Sequence, residues 1–223
     1  MASPDTTRML VLGVAQTFEP ANGYQLRREL LSWQVDEWAN VNPGSIYSML
    51  TTLSKQGMLD RTDLVMREGA RPVAVYRTTP GGREELKSLV RRGLTEAVPF
   101  DQTSFYAALS LMAALLPRDE VIELLETRLI ALRRSTKRNS ETITQLDEAR
   151  QAPPHVARLF EFSVALLRAE AEWLEAFVVS LRAGAMLFAG DDWSEGWEPA
   201  KDDPAWGMVR ERARYLKALG AEQ

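Results

Sequence analysis

Few of the side chains that commonly carry out covalent or metal chemistry occur in this chain of 223 residues. It has no cysteine and a single histidine, His155. Without thiols there is no disulfide, thiol nucleophile, thiol redox sensor or cysteine-ligated zinc site. His155 follows Pro153-Pro154, a position that reads as the start of a helical element. A lone imidazole also lacks the partners of a hydrolytic triad or a histidine-rich metal site. Glu84-Glu85 lies in a helical pattern and Asp191-Asp192 in a polar stretch. Both pairs read as solvated surface, and neither is set against a second carboxylate as acid and base. Gly81-Gly82 has no lysine at Walker spacing and no dinucleotide fingerprint. No enzyme activity, metal or cofactor is expected. What remains is recognition through hydrogen bonds and charge. Ser45, Ser48, Thr51, Thr52 and Lys55 recur along one short stretch, and Arg67 and Arg71 flank a glycine a little further on.

Composition allows a packed core. Hydrophobic residues make up 45% and charged residues 26%, which excludes disorder throughout. The length suits two small domains. The richest apolar run, residues 105–116, is interrupted by Ser110 and is about half of the roughly 20 residues a bilayer requires. Residues 9–15 are apolar but lack a basic leader and a cleavage site, so they read as a buried helix, and a cytoplasmic location with no membrane partner is expected. The net charge of −4 is unevenly spread: residues 1–100 carry 12 Lys/Arg against 11 Asp/Glu, and residues 101–223 carry 15 against 20. The first half therefore has little of the basic excess usual in nucleic-acid binding.

The elements that would position the polar stretch can be traced from caps and periodicity. Ser3-Pro4 is an N-cap followed by proline at the first helical position, opening a helix with Leu10, Val11, Val14 and Phe18 on its apolar face. The segment 19–23 stops it. A second helix begins near Tyr24, with Leu26, Leu30 and Trp33 as candidates for its inward face. Asn42-Pro43 repeats the cap-plus-proline signal, and Ile46, Leu50 and Leu53 recur at helical spacing until Gly57. The period then changes: residues 58–65 and 72–79 are strand-like, and residues 67–71 suit a hairpin tip. Pro80-Gly81-Gly82 closes the second strand, and a helix is expected from about Arg83. Three helices, a hairpin and a further helix form a winged helix-turn-helix. The expected fold is therefore mainly α with a small β-hairpin wing, in domains 1–98 (winged helix-turn-helix), 99–189 (helical) and 190–223 (loop and short helix).

The C-terminal half reads as helical. A nearly all-apolar helix over 104–116 needs cover on every side. From Pro117 a long helix presents Ile122, Leu125, Leu129, Leu132, Thr136, Asn139, Ile143 and Leu146 at alternating spacings of three and four, a coiled-coil-like seam that requires a partner. The next helix, after Pro153-Pro154, repeats apolar positions from Val156 to Leu181. The two helices can satisfy each other within one chain; pairing between subunits is the favoured expectation. Residues 190–203 read as a loop, and the last helix is expected to bury Trp206, Val209, Leu216 and Leu219.

The run Pro43-Gly44-Ser45-Ile46-Tyr47-Ser48-Met49-Leu50, then Leu53-Ser54-Lys55-Gln56-Gly57-Met58-Leu59, resembles the recognition helix and first wing strand of PadR-family transcriptional regulators. Gly23-Tyr24-Gln25-Leu26 resembles the family's second-helix signature, and Tyr76, Thr79 and Gly82 the residues that close its wing. The resemblance covers roughly residues 8–95. It implies a homodimeric DNA-binding repressor on a roughly palindromic operator, with a C-terminal dimerisation domain and release by a small, planar aromatic effector. DNA-binding candidates are Asn42, Ser45, Tyr47, Ser48, Thr51, Thr52 and Lys55 on the helix, with Arg67 and Arg71 on the wing. Thr51 and Thr52 depart from the basic residues that many family members place there. Effector-binding candidates are Phe100, Phe105, Tyr106 and Trp173. The alternative is a winged-helix protein-interaction module that does not bind DNA.

Overall fold

The computed structural model describes residues 3–67, 69–98, 100, 102–149, 153–192 and 205–220, without the side chains of 147–149, 205, 206 and 208. Glu68 of the hairpin tip, Pro99 at the expected domain boundary, Gln151, and Trp193 and Trp197 of the expected loop lie outside them. Two compact units form, Met1–Val90 with Ser194–Gln223, and Arg91–Trp193.

In the first unit, the Ser3 hydroxyl accepts the Thr6 N–H at 3.1 Å and opens α1 (Pro4–Phe18). Met9, Leu10, Val11, Leu12, Val14 and Ala15 are all buried, so α1 is the central helix of this unit. A two-residue strand, β1 (Ala21–Asn22), leads into α2 (Gly23–Ser32) through a reciprocal cap. The Asn22 side chain accepts the Gln25 N–H at 2.9 Å, and the Gln25 side chain accepts the Asn22 N–H at 2.8 Å. After a one-turn helix, α3 (Val35–Trp38), comes α4 (Pro43–Lys55), whose Ile46, Leu50 and Leu53 are fully buried. Gly57, at φ +70°, ends α4: its N–H donates to Ser54 O at 3.1 Å and the Met58 N–H donates to Leu53 O at 2.9 Å. This paired bonding satisfies carbonyls the helix end would leave open. Strands β2 (Leu59–Leu64) and β3 (Val73–Thr78) form the hairpin, and β1 adds to β3, giving the antiparallel order β1-β3-β2. Neither β1 nor α3 is apparent in the sequence, because two paired residues and a single turn are too short to set a period.

The next helix, α5 (Pro80–Thr95), begins three residues before the expected Arg83. Proline is tolerated in a first helical turn, where its missing N–H would have no partner, and the two glycines belong to that turn rather than to a strand end. The Thr79 hydroxyl accepts the Gly82 N–H at 3.0 Å and donates to the Gly57 and Met58 carbonyls, at 2.8 and 3.2 Å. A Cβ on Gly82 would lie 2.1 Å from the Met58 carbonyl oxygen. Glu19, just after α1, accepts the Thr78 N–H at 2.6 Å and the Thr78 hydroxyl at 2.5 Å, and pairs with Arg83.

The second unit contains α6 (Thr103–Leu115), α7 (Arg118–Ala149) and α8 (Pro154–Arg182). Val121, Leu125, Leu129 and Leu132 of α7 are buried, as are Val164, Ala171, Leu174, Val178 and Leu181 of α8. Both helices line the same grooves, and the Asn139 amide, a polar position of the α7 seam, donates to Ser163 of α8 at 2.9 Å. The seam therefore packs against α8 of the same chain. The α6 helix is not covered on every side: Phe105, Ala107, Ala108, Leu111 and Met112 are buried, but Tyr106 is exposed. Arg128 is buried over the Phe105 ring, 3.9 Å from its centroid, and donates to Glu170 at 2.6 Å and to the Glu96 carbonyl. A buried guanidinium requires such partners.

The last helix, α9 (Ala205–Ala218), belongs to the first unit. Tyr215 is buried with Leu64 and Val75 of the wing, and Met66, Val73 and Leu219 pack around them. Its hydroxyl accepts the Asn22 amide at 2.8 Å, and Glu211 accepts the Gln25 amide. Burial pushes the Tyr215 phenol above its ordinary value, and the Asn22 hydrogen bond partly offsets this. Val209, expected to be buried, is exposed, because the inward face of α9 is centred on Tyr215. No helix among the described residues is long and apolar enough to cross a membrane.

Gly82→Ala should lower stability by about 1–3 kcal/mol, since the added methyl meets backbone that cannot swing aside. Urea unfolding of the two proteins measures this, and Gly81→Ala, with its nearest neighbours at ordinary contact distance, is the control.

Candidate nucleic-acid interface

The exposed face of α4 follows from its buried one. With Ile46, Leu50 and Leu53 turned inward, helical geometry directs Tyr47, Ser48, Thr51, Thr52 and Lys55 outward, and all five are exposed. Asn42 caps the helix, its side-chain oxygen accepting the Ser45 N–H at 2.9 Å and the Ser45 hydroxyl at 3.2 Å. The Ile46 N–H donates to the Asn42 carbonyl at 3.3 Å, and Pro43 has no N–H. Of the first turn, this leaves the Gly44 N–H as the donor available to an approaching phosphate, a narrower anchor than the span 42–45 suggests.

The hydroxyls differ in what they offer. Thr51 donates to the Tyr47 carbonyl at 3.0 Å and Thr52 to the Ser48 carbonyl at 2.9 Å. With its proton committed to the helix, each threonine presents an acceptor oxygen and a methyl group. Those groups suit the amino protons of adenine or cytosine and the thymine methyl in a major groove. Ser48 carries a hydroxyl able to donate as well as accept.

Tyr47 is packed on one side and exposed on the other. A Cβ at Gly23 would come within 3.1 Å of its ring, so the ring packs on the first residue of α2, while 42% of the residue faces solvent. In the wing, Gly69 adopts φ +74° and the Ala70 N–H donates to the Arg67 carbonyl at 3.0 Å, closing the tip. Arg67 and Arg71 are exposed beside that turn.

Two exposed residues were not foreseen. Tyr24 stands two positions before buried Leu26, about 200° away round α2, and is 59% exposed; that spacing was a readable signal. Arg77 sits opposite Asp60 in the β2–β3 register and is exposed. The run of Val and Tyr in β3 obscured it. Arg61 is paired with Asp63 at 2.9 Å. Among the described residues, the exposed cations of α4 and the wing include Lys55, Arg67, Arg71 and Arg77.

The four effector candidates fall in different surroundings. Phe105 and Trp173 meet edge to face with centroids 6.4 Å apart, and Trp173 stacks on Phe177 at 4.8 Å. Phe105 is buried, whereas Tyr106 and Trp173 are exposed. Phe100 borders a groove of about 310 Å³ along α7 and α8, with Leu159, Phe160 and Leu167 as apolar walls and Arg138, Asn139 and Ser163 as polar ones. His155 lies in the first turn of α8 and is exposed. Among the described residues no cluster of His, Asp or Glu could hold a metal ion.

A helix exposed between a capped start and a glycine stop, followed directly by a hairpin over the same core, defines a winged helix-turn-helix unit. Residues 11–88 match the model of the transcriptional regulator PadR-like family. No curated protein matches the sequence. Among solved structures, Bacillus subtilis PadR in complex with operator DNA is similar at 16% identity, over 78% of this chain and 98% of that one, with a TM-score of 0.36. The protein smu.1604c from Streptococcus mutans UA159 is 20% identical over 80% and 99%, with a TM-score of 0.34. The PadR-like transcriptional regulator BC1756 from Bacillus cereus is 17% identical over 80% and 99%, with a TM-score of 0.29.

Replacing the cap, Asn42→Ala, should cost about 1 kcal/mol by removing the acceptor for the Ser45 N–H. Chemical denaturation gives the value, and Asn42→Ser or Asn42→Asp should recover most of it.

Proposed function

We propose that this protein is a homodimeric, DNA-binding transcriptional regulator that represses by occupying a promoter and is released by a planar aromatic effector. The observation that carries the reading is the exposed α4 face. Ser48, Thr51, Thr52 and Lys55 form a slim polar ridge with the cationic wing tip beside it, the pairing of groove reader and phosphate contact that a winged helix uses. The family match over residues 11–88 supports it. Such a regulator acts in the cytoplasm, where its target lies.

Dimerisation is supported by a second seam. Leu159, Phe162, Leu166 and Trp173 are 64%, 60%, 36% and 48% exposed. With Ala169 and Ala176, also exposed, they recur at spacings of three and four along α8, a heptad stripe on the side turned away from α7. Arg168 and Glu172 flank it. A stripe of this kind self-pairs, because a symmetric dimer brings the same apolar patch to itself. Two recognition helices would then enter major grooves about 34 Å apart on a roughly palindromic site. Leu159 belongs both to this stripe and to the groove beside Phe100. An aromatic molecule in that groove would therefore bind unequally to two arrangements of the dimer, which is what a shift in DNA affinity requires. Phe105, Tyr106 and Trp173 would shape the region without being its main wall.

The test is binding to a duplex from the gene's own promoter and to a scrambled duplex across salt concentrations. Salt-sensitive binding with preference for the promoter is expected. Folded dimer that ignores both at low salt would leave the protein-interaction reading in its place. Arg67→Ala and Arg71→Ala should weaken binding to both duplexes alike and each flatten the salt dependence by about one unit of slope. Ser48→Ala or Thr52→Val should instead change the preference between sequences by about 1–3 kcal/mol. Phe162→Glu should convert the dimer to a folded monomer in sedimentation and abolish binding at concentrations where the parent saturates.

A further inference from the structure

The α9 helix carries Arg210, Arg212, Arg214 and Lys217 and a single acidic residue, Glu211. Glu211 is turned inward and accepts the Gln25 amide, so the outward side of α9 is left cationic. Arg210, Arg214 and Lys217 follow at spacings of four and three and form one exposed stripe. Arg212 is exposed on the other flank.

The stripe is held beside the candidate interface by specific contacts. Tyr215 sits between Asn22, which caps α2, and the wing residues Leu64 and Val75. Gly23, the next residue after Asn22, lies against Tyr47 of the α4 face. A continuous path thus runs from the exposed face of α4, through Tyr47 and Gly23, to Asn22 and α9, with the wing packed on α9 as well. The helix is fixed to the wing and to the start of α2, against whose first residue Tyr47 packs.

We infer that α9 is a third DNA-contacting element, its Arg210, Arg214 and Lys217 stripe binding backbone phosphates of the duplex held by α4 and the wing. The inference rests on the DNA-binding reading above. It offers this domain the positive charge that residues 1–100, nearly neutral by themselves, lack. The contact is to phosphate, so it adds affinity without sequence preference.

The experiment compares the full chain with a charge-neutral variant, R210Q/R214Q/K217Q, and a charge-keeping variant, R210K/R214K, on promoter and scrambled duplexes. The neutral variant should bind both about tenfold more weakly near 50 mM salt, with the salt dependence flattened by about 2–3 units of slope. Its promoter-to-scrambled ratio and its thermal midpoint should match the parent's. The charge-keeping variant should bind like the parent. Equal affinity and slope for parent and neutral variant would overturn the inference and leave the DNA-binding reading standing. Equal weakness of the two variants would overturn it too, because the contribution would then not be one of charge. A parent that binds neither duplex would overturn both.

Discussion

The carbonyl of Met58 is the point on which the winged unit depends. It follows the glycine that ends α4 and precedes the first residue of β2, so its position sets the angle at which the exposed helix meets the wing. Three groups converge on it: the Thr79 N–H at 3.1 Å, the Thr79 hydroxyl at 3.2 Å, and the bare Cα of Gly82 in the space a side chain would otherwise take. Thr79 thereby ties the end of the recognition helix to the start of α5, and the strand leading into Thr79 is tied through Thr78 to Glu19 at the end of α1. Helix, wing and central helix are locked by one short run of chain. Without that lock, Ser48 and Thr52 on α4 and Arg67 on the wing would still be exposed, but not in a fixed relation to one another. A site that reads a duplex needs that relation more than it needs any single side chain.

The same residues explain how much of the fold was legible. Caps could be read because their chemistry is local: Ser3 and Asn42 each precede a proline and supply the oxygen that accepts the N–H three residues on. The recognition helix could be read because Ile46, Leu50 and Leu53 recur at its period. Gly82 resembled a strand stop because its requirement is tertiary; nothing nearby in sequence announces that a carbonyl 24 positions back would collide with its side chain. The outward face of α4 was legible in outline, but not the commitment of the Thr51 and Thr52 protons to the helix backbone, nor the packing of Tyr47 on Gly23. Both depend on rotamers and neighbours that a linear pattern does not encode.

The helical unit shows why a repeat identifies a need without identifying the partner. The α7 seam is satisfied by α8 in the same chain, and Asn139 finds Ser163 where the seam turns polar. The apolar positions of α8 are too many for that one contact. Leu159, Phe162, Leu166 and Trp173 are left on the far side, while Val164, Ala171, Leu174 and Val178 face inward. In the sequence the two sets interleave into one strongly apolar helix, and only the fold separates them. A single seam would have made a self-sufficient hairpin; a second makes an exposed stripe that water disfavours.

Charge follows a similar logic. Residues 101–223 are acidic on balance, yet they contain adjoining segments of opposite sign. Asp191, Asp192, Glu195, Glu198, Asp202 and Asp203 are opposed only by Lys201, and α9 follows with four cations and one acid. A sum over the half cancels one segment against the other and assigns the remainder to a domain to which α9 does not belong. Once Tyr215 and Glu211 attach α9 to the wing and to the cap of α2, its cations count toward the winged unit. At a Debye length of roughly 8–10 Å, a phosphate responds to the charges close to it and hardly at all to the total. The near-neutral first hundred residues therefore understate the potential of the surface they form, because part of that surface arrives from the end of the chain.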